Sequence, residues 1–205
     1  ADCTALPDAV SLYRQILARA GDSSVTILSI GFMTNLARLL DSGPDVYSEL
    51  DGIELVRRKV RTVVAMCGSE QETEYNIQYD IPAAQAFFEK VPVTVSILPS
   101  EVHMHVSTED ITAHTGWKEH HPLALAYTLH NPEDSNLCWD ATATLAVLYG
   151  FDGITVSLPQ KAEIDSLGIM KMTPGATAGF RLLTLTDEQQ AGYTEKLLST
   201  LDTPL

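Results

Sequence analysis

Basic residues are scarce in this chain: 13 Lys and Arg stand against 27 Asp and Glu, a formal net charge of −14 over 205 residues. A surface of that sign repels phosphate backbones and anionic lipid, so nucleic acid and membrane surfaces are poor candidate partners. Cysteine is scarcer still, and Cys3, Cys67 and Cys138 are too few and too scattered for a disulfide framework. No apolar run approaches the roughly 18 to 20 residues that span a bilayer. The amino end, Ala1-Asp2-Cys3-Thr4, carries no signal-peptide pattern, and the compartment stays open because a signal can precede residue 1. Gly-x-Gly-x-x-Gly and P-loop motifs are missing, and Ser29, Ser96 and Ser100 have no nucleophile-elbow setting, which removes the usual grounds for a dinucleotide enzyme, a P-loop enzyme or a serine hydrolase.

What is present is ordinary for a globular protein, with 45% aliphatic, aromatic and Cys residues and 20% charged ones. A domain of this size typically buries about 70% of the surface its unfolded chain exposes. No repeat, low-complexity run or linker divides the sequence, which reads as one domain over residues 1–205. The chain opens on Ala1 and enters a helix within seven residues, which reads as part of something longer or processed.

Leu6-Pro7-Asp8 opens a helical stretch in which Val10, Tyr13, Ile16, Leu17 and Ala20 recur at spacings of three and four before Gly21. Val25 to Ile30 is a β-branched apolar run stopped by Gly31, and Thr34-Asn35 leads into a helix with Leu36, Leu39 and Leu40 inward. Ile53 to Lys59 feeds a strand from Val60 to Met66, which completes a βαβ unit. Asp80 caps the next helix, with Pro82 in its first turn and Ala84, Phe87 and Phe88 on its apolar face, and Pro92 to Leu98 is the following strand. Beyond Leu98 the order is less regular: a Gly-Trp-Lys-Glu-His-His-Pro stretch begins at Gly116, and an apolar helix runs from Ala141 to Tyr149. Short β-like pieces follow at Ile154 to Leu158 and Phe180 to Leu185. Thr186-Asp187-Glu188-Gln189 then has the form of a capping box for a last helix reaching Leu201.

This alternation predicts an α/β fold with a mostly parallel, Rossmann-like sheet flanked by helices. In such sheets ligands collect outside the carboxyl ends of the strands. The Gly31 turn, the Met66 to Asn76 loop, the Pro99-Ser100-Glu101 loop and Trp139-Asp140 are the segments expected at that end. Glu74 and Asn76 offer an acceptor and a mixed donor and acceptor two residues apart, a pairing suited to hydroxyl groups. The plainer reading makes Glu74 an exposed loop carboxylate, Asn76 a turn residue, Trp139 a packing residue and Asp140 the N-cap of the helix that follows. His103 and His105 alternate along an extended segment with His120-His121 following, but no cysteine or carboxylate falls at structural-zinc spacing.

Met66-Cys67-Gly68, then Glu74-Tyr75-Asn76, then Asp80 with Pro82-Ala83-Ala84, together with Gly31-Phe32-Met33-Thr34-Asn35 and Asp140, resemble the inosine-uridine nucleoside hydrolase family in order and spacing. The resemblance runs from about Val25 to the carboxyl terminus. It implies hydrolysis of the N-glycosidic bond of ribonucleosides to ribose and free base, with water attacking beside a bound calcium ion. Carried over residue by residue, it makes Asp140 and the backbone carbonyl of Ile30 calcium ligands, gives Glu74 and Asn76 the ribose hydroxyls, and sets Met66 along the sugar site. The family's Asp-rich motif, Asp-Thr-Asp-x-Gly-x-Asp-Asp, supplies the general base and most calcium ligands. That motif does not occur here, so the fold is expected to lack the first strands, to leave an edge strand near Val25 to Ile30, and to be inactive or nearly so by itself. Trp139 stands where part of the family has a His that protonates the leaving base; indole cannot protonate, but it can stack on a base. The expected partner is a ribonucleoside or ribose-like small molecule. The alternatives are a non-catalytic sugar- or nucleoside-binding protein on the same fold, and a homo-oligomer-forming fragment with no site of its own.

Overall fold

A computed structural model describes residues 6–113, 122–130, 135–175 and 179–201. In chain order these form helix α1 (Ala9–Arg19), strand β1 (Val25–Ser29), helices α2 (Thr34–Leu40) and α3 (Gly52–Lys59), and strand β2 (Val60–Met66). Helices α4 (Tyr75–Gln78) and α5 (Ile81–Lys90) and strand β3 (Val95–Leu98) come next. Strand β4 (Met104–Ser107), helices α6 (Thr108–Ala113) and α7 (Pro122–His130), strand β5 (Ser135–Cys138) and helix α8 (Trp139–Leu148) follow. The chain closes with strands β6 (Thr155–Val156), β7 (Gln160–Ile164), β8 (Met170–Pro174) and β9 (Phe180–Thr184) and helix α9 (Asp187–Leu201). There are two compact units, Ala1–Ser100 with Ser157–Leu182, and Glu101–Val156 with Leu183–Leu205.

In the first unit the strand order is β1-β2-β3-β9-β7-β8. Neighbours from β1 to β9 are parallel, with Ile27 opposite Val63, Val63 opposite Val95 and Val95 opposite Phe180. The β7 and β8 strands close the sheet antiparallel, and β1 is an edge strand among the described residues. Strand β3 is buried at all four positions, as expected of a central parallel strand covered on both faces. Helices α1, α2, α3 and α5 bury Leu17, Leu36, Leu39, Leu55 and Phe87 against Ile27, Val63 and Ile97 of the sheet.

Helix starts follow the side chains that satisfy their free N–H groups. Asp8 accepts from Val10 and Ser11, Asp51 from Glu54, and Asp80 from Ala83. Arg14 of α1 is 2% exposed and ties down the connection between α2 and α3, with Nε 2.8 Å from the Asp45 carboxylate and further bonds to Ser42 Oγ and the carbonyls of Ser48 and Leu50. The Gly52 backbone at the start of α3 passes so close to α2 that a Cβ there would lie 1.7 Å from the Leu39 carbonyl oxygen.

The strand expected from Pro92 begins at Val95, because proline has no N–H for the ladder and the first strand donor is Val95 N, to Gly179 O at 2.6 Å. Ile154 to Leu158 contributes only the two residues of β6. The β7–β8 hairpin was not expected; Lys161 and Glu163 are exposed while Ala162 and Ile164 are buried, the alternation of a strand with one wet face.

The second unit holds the antiparallel β4–β5 ladder, with Met104 opposite Cys138, and the helices α6, α7, α8 and α9. Strand β6 pairs antiparallel with Leu183 and Thr184 at the end of β9. Helix α9 starts with both bonds of the expected capping box: Thr186 N donates to Gln189 Oε1 at 2.9 Å and Gln189 N to Thr186 Oγ1 at 3.2 Å. Cys3 and residues 116–121, with His120 and His121, lie outside the described residues.

Candidate functional site

Three of the expected segments stand at the carboxyl ends of β1, β2 and β3, which are parallel neighbours, so their polar loops leave the sheet on one side. The middle loop is the most elaborate. Cys67 N continues the ladder to Leu98 O at 3.1 Å. Gly68 turns at φ +79°, a left-handed conformation natural to glycine, and its carbonyl accepts from Ser100 N at 3.0 Å. Ser69 Oγ accepts from Gln71 N and Glu72 N, and its carbonyl accepts from Met170 N at 2.9 Å. Thr73 Oγ1 donates to Leu167 O at 2.7 Å and Met172 N donates to Glu70 Oε1 at 3.2 Å, so the hairpin missed in the sequence is the floor on which this loop rests.

Glu74 is 6% exposed, not the exposed loop carboxylate of the plain reading. It caps α4, with Oε1 accepting from Asn76 N at 2.8 Å and Oε2 from Ile77 N at 3.3 Å, and Oε2 also accepts from Gly68 N at 3.0 Å. One carboxylate therefore closes the loop on itself. The buried Cys67 thiol beside it is raised well above its ordinary pKa, first by burial and then by the Glu74 charge, so it stays protonated and inert.

Asn76, 8% exposed, donates through Nδ2 to Met66 O at 3.0 Å and lies 3.4 Å from Met66 Sδ. The carbonyl accepts only, so it fixes which end of the amide is nitrogen. The Oδ1 atom is left without a partner among the described residues. Met66, 4% exposed, is thus part of the same small assembly, as are Glu74 and Asn76.

At the end of β1, Ile30 is 44% exposed, and Thr34 Oγ1 hydrogen-bonds the Asp80 carboxylate, which joins the Gly31–Asn35 turn to the cap of α5. Phe32, Tyr75 and Tyr79 form an exposed aromatic face: Phe32 stacks on Tyr79 with centroids 5.3 Å apart, and Tyr75 and Tyr79 are 4.6 Å apart. The signal for it was the i, i+4 spacing of Tyr75 and Tyr79 beside the Gly31 turn.

Trp139 and Asp140 belong to the second unit. Asp140 is not the N-cap of α8; the helix starts at Trp139 with Cys138 in the cap position, and Asp140 lies in the first turn. Its carboxylate is exposed and favoured there by the helix dipole, while partial loss of hydration raises its pKa above the usual carboxylate value. Trp139 is half-buried against the His103 ring, with centroids 5.4 Å apart.

Calcium takes six to eight oxygen ligands. Among the described residues no group of three or more His, Cys, Asp and Glu side chains gathers, so the residues described do not fit a calcium ion by themselves. Of the expected ligands, Ile30 lies in the first unit and Asp140 in the second.

The family model described as inosine-uridine preferring nucleoside hydrolase matches residues 3–179. Among solved structures, the chain is similar to the inosine-uridine preferring nucleoside hydrolase from Bacillus anthracis, with a TM-score of 0.69 at 17% identity over 96% of this chain. It spans 66% of the length of that protein. No curated protein sequence matches it. With the family match covering most of its length and the parallel α/β sheet agreeing with that structure, the chain belongs to the inosine-uridine preferring nucleoside hydrolase family.

Proposed function

We propose that this chain is the sugar-binding wall of an enzyme that hydrolyses the N-glycosidic bond of ribonucleosides. The observation that carries the reading is the Asn76 amide at the carboxyl end of β2, held by Met66 O and with no partner for Oδ1 among the described residues. An acceptor fixed in this way accepts a hydrogen bond from a ribose hydroxyl without first losing side-chain freedom. Glu74 supports it by capping the helix that carries Asn76; its assignment to the same ribose comes from the resemblance. Met66 supplies apolar surface beside Asn76. The resemblance assigns Asp140 and the Ile30 carbonyl to a calcium ion, and two oxygens are too few to hold one.

Hydrolysis adds water across the bond between the anomeric carbon and the base nitrogen, and the base leaves with a proton. The chain as it stands has no assigned group to take the proton from water. Losing a general base costs about 10²- to 10⁴-fold in rate. The purified 205-residue chain is therefore expected to release no measurable ribose from inosine or uridine. Ribose release that scales with this chain and with added calcium would overturn that assignment of roles.

A further inference from the structure

We propose that His103 and His105 form a two-histidine site for one late first-row divalent metal ion, zinc, nickel or copper, separate from any calcium site. The Nε2 atoms of the two rings are 3.2 Å apart. Two metal–nitrogen bonds of about 2.05 Å reaching atoms that far apart enclose an angle of about 103°, close to tetrahedral. The spacing is thus a chelating bite as well as a hydrogen-bond distance.

Strand geometry produces it. His103 and His105 are two residues apart at the start of β4, so their side chains leave the same face, while Met104 and Val106 between and beyond them are fully buried on the other. The buried face is anchored, with Met104 N donating to Thr142 Oγ1 at 3.1 Å and Met104 paired opposite Cys138 of β5. The Trp139 ring supports His103, and Thr194 Oγ1 of α9 donates to His105 O at 3.4 Å. The His103 ring is therefore held by packing, and the backbone that carries both histidines is held by strand pairing, which lowers the ordering cost of chelation.

In the metal-free protein one Nε2 carries the proton shared between the rings. On binding, that ring moves its proton to Nδ1, so both Nε2 lone pairs face the ion with no net proton change for a neutral pair. Among the described residues no third His, Cys, Asp or Glu completes a set of three, and the two imidazole nitrogens are the ligands the proposal assigns. Imidazole nitrogen selects zinc, copper and nickel over calcium, and the net charge of −14 favours cations near the surface.

The test is titration of the untagged chain with nickel and zinc salts, read by calorimetry, with copper spectra counting nitrogen ligands. One equivalent should bind, and H103Q and H105Q should each weaken binding at least roughly tenfold with unchanged circular dichroism. A variant carrying H120Q and H121Q should bind as wild type, and excess calcium should not compete. Should H103Q fail to fold, H105Q decides, since His105 is exposed and its ring is not part of the core. No saturable binding, retention of binding in H105Q, loss of it in the H120Q and H121Q variant, or displacement by calcium would each overturn the proposal.

Discussion

Replacing Glu74 with alanine tests the loop account most sharply. The carboxylate accepts from three backbone N–H groups, of Gly68, Asn76 and Ile77, at 3.0, 2.8 and 3.3 Å. Removing a helix cap costs about 1 kcal/mol. Leaving Gly68 N in a buried turn without its charged acceptor costs a further 1–3 kcal/mol, roughly. We expect a loss of about 3 kcal/mol, which at a urea slope of about 2.5 kcal/mol/M lowers the unfolding midpoint by about 1.2 M. Glu74→Gln keeps the shape but turns an N–H₂ toward at least one backbone donor, so about half of that loss should remain. Glu72→Ala, on an exposed side chain of the same loop, is the control and should stay within about 0.5 kcal/mol of wild type. Equal midpoints for Glu74→Ala and Glu72→Ala would refute the closing role of Glu74. The result bears on function too, because a ribose-binding defect in a Glu74 variant would mix lost contact with lost loop shape.

The Asp45 carboxyl is held below the ordinary range chiefly by its bond to Arg14, with help from Tyr47 and Ser48 N–H groups. Its folded pKa lies below its unfolded one, so the stabilisation is complete above the unfolded value of about 3.9 and disappears as pH falls through the folded value. Urea midpoints of wild type and Asp45→Asn should therefore differ at pH 5 and draw together only as pH falls below about 3.9, whereas parallel curves would contradict the pairing. Gly52→Ala should be among the most destabilising single changes, roughly 3 kcal/mol or more, because its Cβ would meet the Leu39 backbone, which cannot rotate away; a thermal midpoint like wild type would be the contrary result. Asn76→Asp sets a second acceptor against the Met66 carbonyl and should cost about 1–3 kcal/mol, more than Asn76→Ser, as read by urea unfolding.

Much of the first unit was legible because its sequence signals are local. Asp8 and Asp80 cap the helices they precede, Thr186 and Gln189 form both capping-box bonds, and the apolar runs at Val25, Val60 and Val95 are the parallel strands. The β7–β8 hairpin was missed although its alternation of Lys161, Ala162, Glu163 and Ile164 is plain, since the turn at residues 165–168 lacks an Asn-Gly or Asp-Gly pair. The candidate site residues were singled out by pattern, but their partners were not. Glu74 reaches Gly68 and Asn76 reaches the Met66 carbonyl across loop closures that no periodicity encodes, and Asp140 enters the first turn of α8 because the helix begins two residues earlier than its apolar pattern does. The bite between His103 and His105 follows from period-two alternation, though its 3.2 Å spacing needed coordinates.

Ribose release by the native gene product decides whether the Asn76 assembly serves ribonucleoside hydrolysis. With inosine and uridine as substrates, the account predicts ribose and free base in equal amounts, a requirement for calcium, and loss of turnover in Asn76→Ala and Asp140→Asn proteins that keep their circular dichroism. Saturable ribose or nucleoside binding with no product from the native protein would contradict it and favour a binding protein on the same fold.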